Sequence, residues 1–185
     1  MPDVELQAVG PGHPDVEALE RISEEALPEY ERFTFGDMFA SNVDGNLEIL
    51  EILADGMPAG FLVTRRYREI TYLAYLAVRI DLRSKGIGGG ALRLLLARNA
   101  GRRTIVEFES PAPGAADGDL RLRRRSFYLR NGFSETGWYT YYDDTEFEIA
   151  CAGLPYDPAA FDDLVTYLGT IVSAHVPTAP YRRDA

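Results

Sequence analysis

Between Arg83 and Ala91 the chain reads Arg-Ser-Lys-Gly-Ile-Gly-Gly-Gly-Ala, a basic, glycine-rich loop set between an apolar strand-like run and a leucine-rich helix. Glycine in a helix costs about 1 kcal/mol against alanine, so helix propensity does not explain this stretch. Two explanations stand open: a loosely started helix, or a backbone left bare so that a ligand can approach it. In the second, the unpaired amides and the positive end of the helix dipole face an anion, with Arg83 and Lys85 beside it.

Nineteen basic against 29 acidic residues give a formal charge of -10, which opposes binding to nucleic acid or to an anionic membrane. A local basic cluster therefore needs a local purpose. At 185 residues, 46% of them hydrophobic, the chain is expected to form a single domain over 1–176 with a flexible tail at 177–185. The opening Met1-Pro2-Asp3-Val4-Glu5 has no signal-peptide pattern and no apolar run approaches a bilayer span, so a cytoplasmic protein is expected. Cys151 is the single cysteine and reads as core filler, while His13 and His175 have no metal-ligand spacing, so no metal is expected.

Alternation and turn signals predict strands at Val4 to Ala8, Leu47 to Leu53, Ala59 to Tyr67 and Ile70 to Val78, with Asp55-Gly56 as a hairpin turn. Short connections imply an antiparallel meander. Helical spacing runs from Pro14 to Ala26, and a less regular segment at Glu29 to Asn42 holds Tyr30, Phe33, Phe35, Met38 and Phe39, either in the core or along a cleft. After the glycine loop a helix continues to Asn99-Ala100-Gly101, followed by a strand at Thr104 to Glu109 and a loop to Asp119. A helix at Leu120 to Leu129, strands at Thr136 to Tyr142 and Glu146 to Ala152, and a helix from Pro158 to Ala174 complete the pattern.

Gly86-Ile87-Gly88-Gly89-Gly90-Ala91 also satisfies the Gly-x-Gly-x-x-Ala dinucleotide pattern, with Glu107 at the distance of a ribose-binding acid. That motif needs its first glycine directly after the strand, whereas Arg79 to Lys85 intervene here, and the upstream hairpins lack the strand-helix-strand crossovers. Arg83-Ser84-Lys85-Gly86-Ile87-Gly88 instead resembles the acyl-CoA-binding motif of the GNAT acetyltransferase superfamily, Arg/Gln-x-x-Gly-x-Gly/Ala. Arg125 to Phe133, containing Phe127-Tyr128 and Gly132-Phe133, resembles the same family's helix-to-strand segment. The two matches span Ile70 to Phe133 in the family's order.

The resemblance implies an α/β (α+β) fold: a mixed, mostly antiparallel sheet of six to seven strands flanked by helices and splayed between strands four and five. It implies acetyl-CoA as co-substrate, its pyrophosphate on the amides from Ser84 to Gly89, including those of Gly86, Ile87 and Gly88, with charge from Arg83 and Lys85. The pantetheine would pair with the main chain of Ala77, Val78 and Arg79, where an amide near Val78 would meet the thioester oxyanion. Tyr128 matches the position that protonates the departing thiolate. The base would be Glu107, Glu109 or a water chain.

The implied enzyme is an N-acyltransferase acting on a primary amine, of a small molecule or a protein, as monomer or homodimer. A non-catalytic acyl-CoA sensor on the same fold is the alternative. Arg121, Arg123, Arg124 and Arg125 cannot all face one ligand from a helix; one or two are expected to meet phosphate or a carboxylate. Arg121 and Leu122 also stand where the family often has an asparagine, which removes the usual contact from that helix to pantetheine. Trp138 and Tyr142 alternate with Tyr139 and Tyr141, so one of the two faces is available to line a site.

Overall fold

The structure is a computed structural model, described here for residues 2–29, 32–112, 114–116, 119–172 and 176–183. Seven strands form one sheet in the order β1-β2-β3-β4-β5-β7-β6: β1 Val4–Ala8, β2 Leu47–Ala54, β3 Met57–Tyr67, β4 Ile70–Val78, β5 Arg103–Glu109, β6 Ser134–Tyr142 and β7 Thr145–Gly153. The β1–β2, β2–β3, β5–β7 and β6–β7 pairs are antiparallel, and β4 and β5 are the parallel pair. Among the described residues five α-helices accompany them: α1 Val16–Ala26, α2 Phe35–Ser41, α3 Ile87–Arg98, α4 Leu120–Arg130 and α5 Pro158–Ile171. Among the described residues no helix is long and apolar enough to cross a membrane.

Two compact units are distinguishable, residues 1–66 with 73–98, and residues 67–72 with 99–185. In the first, Asp55 and Gly56 both have positive φ, 51° and 75°, the conformation of a two-residue hairpin turn. Alternation along β2 and β3 sends Ile49, Phe61 and Val63 to one face, where they close a core with Leu19 and Ile22 of α1 and Phe35 and Met38 of α2. Phe35 is fully buried and meets Phe61 edge-on at 5.2 Å. The aromatic segment before β2 thus supplies core, although Tyr30 lies outside the described residues. The glycine at position 60 is forced by proximity, because a Cβ there would lie 2.1 Å from the Ala77 carbonyl oxygen.

In the second unit α5 places Phe161, Leu164, Val165 and Leu168 at helical spacing on Ile105, Ile149 and Cys151. Asp157 caps this helix through the amides of Ala159 and Ala160, and Pro158 occupies its first turn, where no amide hydrogen is needed. Burial pushes the Cys151 thiol up to about 11, so it is the inert core residue that its strand position implied. Residues 176–183 run beside β6. Tyr139 and Tyr181 exchange two main-chain hydrogen bonds of 2.9 Å, and the Tyr181 ring stacks on Tyr141. Hydrogen bonds from Arg183 and Tyr181 hold the Glu146 carboxyl down to about 2.

Candidate functional site

In the first unit β4 runs into a 3-10 turn at Ile80–Leu82 and then α3. Ser84 and Gly86 both adopt positive φ, 63° and 85°, which turns the chain sharply ahead of the helix. The first turn-closing bond of α3 runs from the Gly90 amide to the Gly86 carbonyl at 2.9 Å, so the amides of Ile87, Gly88 and Gly89 have no carbonyl within the helix to donate to. Gly90 has a packing reason to be glycine, since a Cβ there would sit 2.9 Å from the Val4 side chain. Gly86 has a conformational one. Gly88 has no positive φ to require a glycine and is partly exposed, as a backbone approached by a ligand would be.

The charges beside this loop divide into two kinds. Arg79 is engaged by Asp81, with Nε to Oδ1 at 2.7 Å and Nη2 to Oδ2 at 2.9 Å, and this pairing raises the arginine and lowers the acid. Arg83 turns back to donate from Nε to the Val78 carbonyl at 3.1 Å, which ties the loop to the end of β4. Ser84, Lys85 and Gly86 are exposed, while Ala77 is buried and Val78 partly so. The loop can therefore offer an anion three amides, the dipole of a twelve-residue helix and the cation of Lys85.

In the second unit Tyr128 is 7% exposed and stacks on Phe108 of β5 at 5.4 Å and 8°. Phe127 and Phe133 meet the same ring edge-on. Its hydroxyl makes no hydrogen bond among the described residues. Burial pushes this phenol up to about 12, against a small opposing effect of Arg124, so it carries its proton at neutral pH.

Glu107 alternates with Phe108 along β5 and so points to the opposite face of the sheet from Tyr128. Its carboxylate receives three hydroxyls: Thr140 at Oε1, and Tyr72 and Tyr142 at Oε2 at 2.8 and 2.9 Å. The two phenol oxygens are themselves 2.9 Å apart. A triangle of three oxygens needs three hydrogens for every side to be a hydrogen bond, and two phenols with an ionised carboxylate bring only two. The missing hydrogen raises the proton affinity of Glu107. Burial acts in the same direction, raising Glu107 above an ordinary carboxylate despite the three donors and raising Tyr142 well above the ordinary phenol. Spacing alone had treated Glu107 and Glu109 alike, whereas Glu109 is engaged by Arg121 Nε at 2.6 Å.

Two of the four clustered arginines meet carboxylates, as expected of a solvated helix with a few inward contacts. Arg121 binds Glu109, and Arg125 binds Glu135 and, at 2.9 Å, the nearly buried Glu148. Trp138 packs toward α5 and Tyr142 reaches Glu107, while Tyr139 and Tyr141 face Tyr181. No sequence pattern points to Tyr72 and Thr140 as partners of Glu107, because they come from β4 and β6. His13, isolated in the sequence, lies 4.0 Å from the Glu51 carboxylate; His175 lies outside the described residues.

No protein-family model matches the chain, and no curated protein does. Solved structures do. A protein described as a GNAT-family acetyltransferase, from Bacteroides thetaiotaomicron, superposes with a TM-score of 0.71 at 24% identity over 90% of this chain and 97% of its own. The ribosomal-protein-S18-alanine N-acetyltransferase of Escherichia coli gives 0.60 at 18% identity, covering 84% and 96%. A GNAT-family acetyltransferase of Elizabethkingia anophelis with acetyl-CoA bound gives 0.57 at 15% identity, covering 82% and 98%. The fold of this chain is the GNAT fold.

Proposed function

We propose that this chain, built on the GNAT fold, is an N-acetyltransferase that moves the acetyl group of acetyl-CoA to a primary amine by direct attack. The observation that carries the reading is the opening of α3. Three amides without helical acceptors, a positive-φ glycine and an exposed lysine make a site for a diphosphate, in a loop whose Arg83-x-x-Gly86-x-Gly88 residues resemble the family motif. On this reading the cofactor-binding residues are Arg83 to Gly89, with main chain from Ala77 to Arg79 pairing with the pantetheine.

The chemistry follows from what each group is able to do. A protonated amine has no lone pair, so a base must take its proton before nitrogen attacks the thioester carbonyl. Glu107 is the preferred base: its raised pKa brings its proton affinity nearer to neutrality, while Glu109 is neutralised by Arg121. The proton reaches Glu107 directly or through water. As the C–S bond of the tetrahedral intermediate breaks, sulfur takes the electron pair and a proton from Tyr128, and the second proton that nitrogen must lose to become an amide restores the phenol through water, leaving free CoA thiol and the amide. The acceptor on this reading is a primary amine, of a small molecule by preference or of a protein.

The test is thiol release from acetyl-CoA in the presence of a panel of polyamines, aminoglycosides, amino-acid derivatives and peptides with free amino termini. At least one acceptor is expected to raise release above background, with a mass gain of one acetyl group on the amine. Binding of CoA without release for any acceptor would replace the enzyme with an acyl-CoA sensor.

A further inference from the structure

Glu51 occupies the middle of β2 on the face covered by α1 and α2. It is fully buried, and neither carboxylate oxygen has a hydrogen-bond partner among the described residues. An isolated ionised carboxylate in such surroundings is costly and is held in native proteins by a partner. The nearest charged groups do not supply one. His13 Nε2 stands 4.0 Å away, beyond hydrogen-bond reach, and Asp15 adds a second negative charge that, after burial itself, raises Glu51 further.

Asp15 is unusual in its own right. It stands at the N-cap of α1, where an aspartate ordinarily accepts an amide from the first turn, yet its side chain makes no capping bond. One ligand atom each of His13, Asp15 and Glu51 lie within 4.8 Å of one another. Gln7 is directly opposite Glu51 on β1, and its side-chain nitrogen is 3.3 Å from His13 Nε2. An imidazole, a buried carboxylate with no donor among the described residues, a second carboxylate that makes no capping bond and an adjacent amide thus converge between β2 and the loop leading into α1.

We propose that His13, Asp15 and Glu51 bind a divalent transition-metal ion, with Zn2+ as the representative, which fastens the loop before α1 to β2. One imidazole with two carboxylates suits zinc or manganese, and the absence of a thiolate argues against monovalent copper. Bonds of about 2.0–2.2 Å from a central ion require ligand atoms a little over 3 Å apart, so side-chain rotations of about 1 Å complete the site. Coordination through His13 Nε2 leaves the ring proton on Nδ1, which gives up the long 3.4 Å contact from the Asp15 amide. The Gln7 amide then turns its oxygen toward the ion, since its two ends differ only in hydrogen bonding. The ion supplies the positive charge that Glu51 lacks.

The experiment uses the full chain, freed of any affinity tag and stripped with a chelator, then titrated with ZnCl2 by calorimetry and followed by thermal unfolding. One equivalent is expected to bind and to raise Tm by several degrees. Asp15→Asn, a partly exposed change that leaves the fold intact, and Glu51→Gln should each weaken binding at least tenfold and abolish the shift. The proposal is overturned if wild type binds no stoichiometric zinc, or if both variants bind it as tightly as wild type. A metal-free Glu51→Gln more stable than a wild type indifferent to zinc would assign the charge of Glu51 to a proton instead.

Discussion

Tyr128→Phe is expected to lower kcat for acetyl transfer by about 10²- to 10⁴-fold, the range for losing a positioned proton donor, with the affinity for CoA unchanged. The prediction is sharp because of what the substitution spares. Tyr128 contributes to its surroundings through ring contacts with Phe108, Phe127 and Phe133, all of which phenylalanine keeps. The hydroxyl removed holds no partner among the described residues, so the fold and Tm should change little. Steady-state kinetics beside CoA calorimetry separate the possibilities. Equal kcat in the variant would remove Tyr128 from the chemistry, and a parallel loss of CoA affinity would make it a packing residue.

Glu107→Gln has the second large effect. It is expected to cost about 10²-fold or more in kcat/KM at neutral pH and to erase the acid limb of the pH-rate profile. The sign follows from the direction of the shift. Burial raises Glu107 above 4.5, so the basic form appears only above that raised value, and wild-type kcat/KM should climb with pH through it. Stability runs the other way. A carboxyl that binds its proton more tightly folded than unfolded contributes fully below the ordinary carboxyl value and loses that contribution as pH rises through the raised one. Wild type should therefore lose Tm over that window, and the glutamine variant should lose less. A pH-independent wild-type rate between pH 4 and 8 would point to a water chain without Glu107.

What the sequence made readable was what repeats or lies close along the chain. Alternation defined β1 and β4 to the residue, the Asp55-Gly56 pair announced its own turn, and the Arg83-x-x-Gly86-x-Gly88 spacing marked the loop. Boundaries moved at helix starts: α1 begins at Val16 rather than Pro14, and among the described residues of the stretch from Glu29 only Phe35–Ser41 is α-helical, beyond Thr34, whose side chain accepts the Asp37 amide. The long-range partners were not readable. Tyr72, Thr140 and Tyr142 meet Glu107 across 33 to 35 residues of chain, and Glu51 approaches His13 across two elements. Hydrogen bonds between strands leave no spacing pattern, so sequence weighed two glutamates equally where geometry separates them. The pairing of residues 176–183 with β6 was hidden for the same reason, since Pro177 and Pro180 suggest a loose end while Thr178 and Tyr181 form main-chain bonds.

The central claim is that the bare amides at the start of α3 receive the diphosphate of CoA, and calorimetry of CoA with wild type and with Gly88→Asp tests it most directly. Wild type should bind one CoA per chain. The aspartate should weaken binding at least 100-fold, because it sets a carboxylate against the anion in the space a bare backbone leaves open. No heat of binding with wild type, or undiminished affinity in Gly88→Asp, would contradict it.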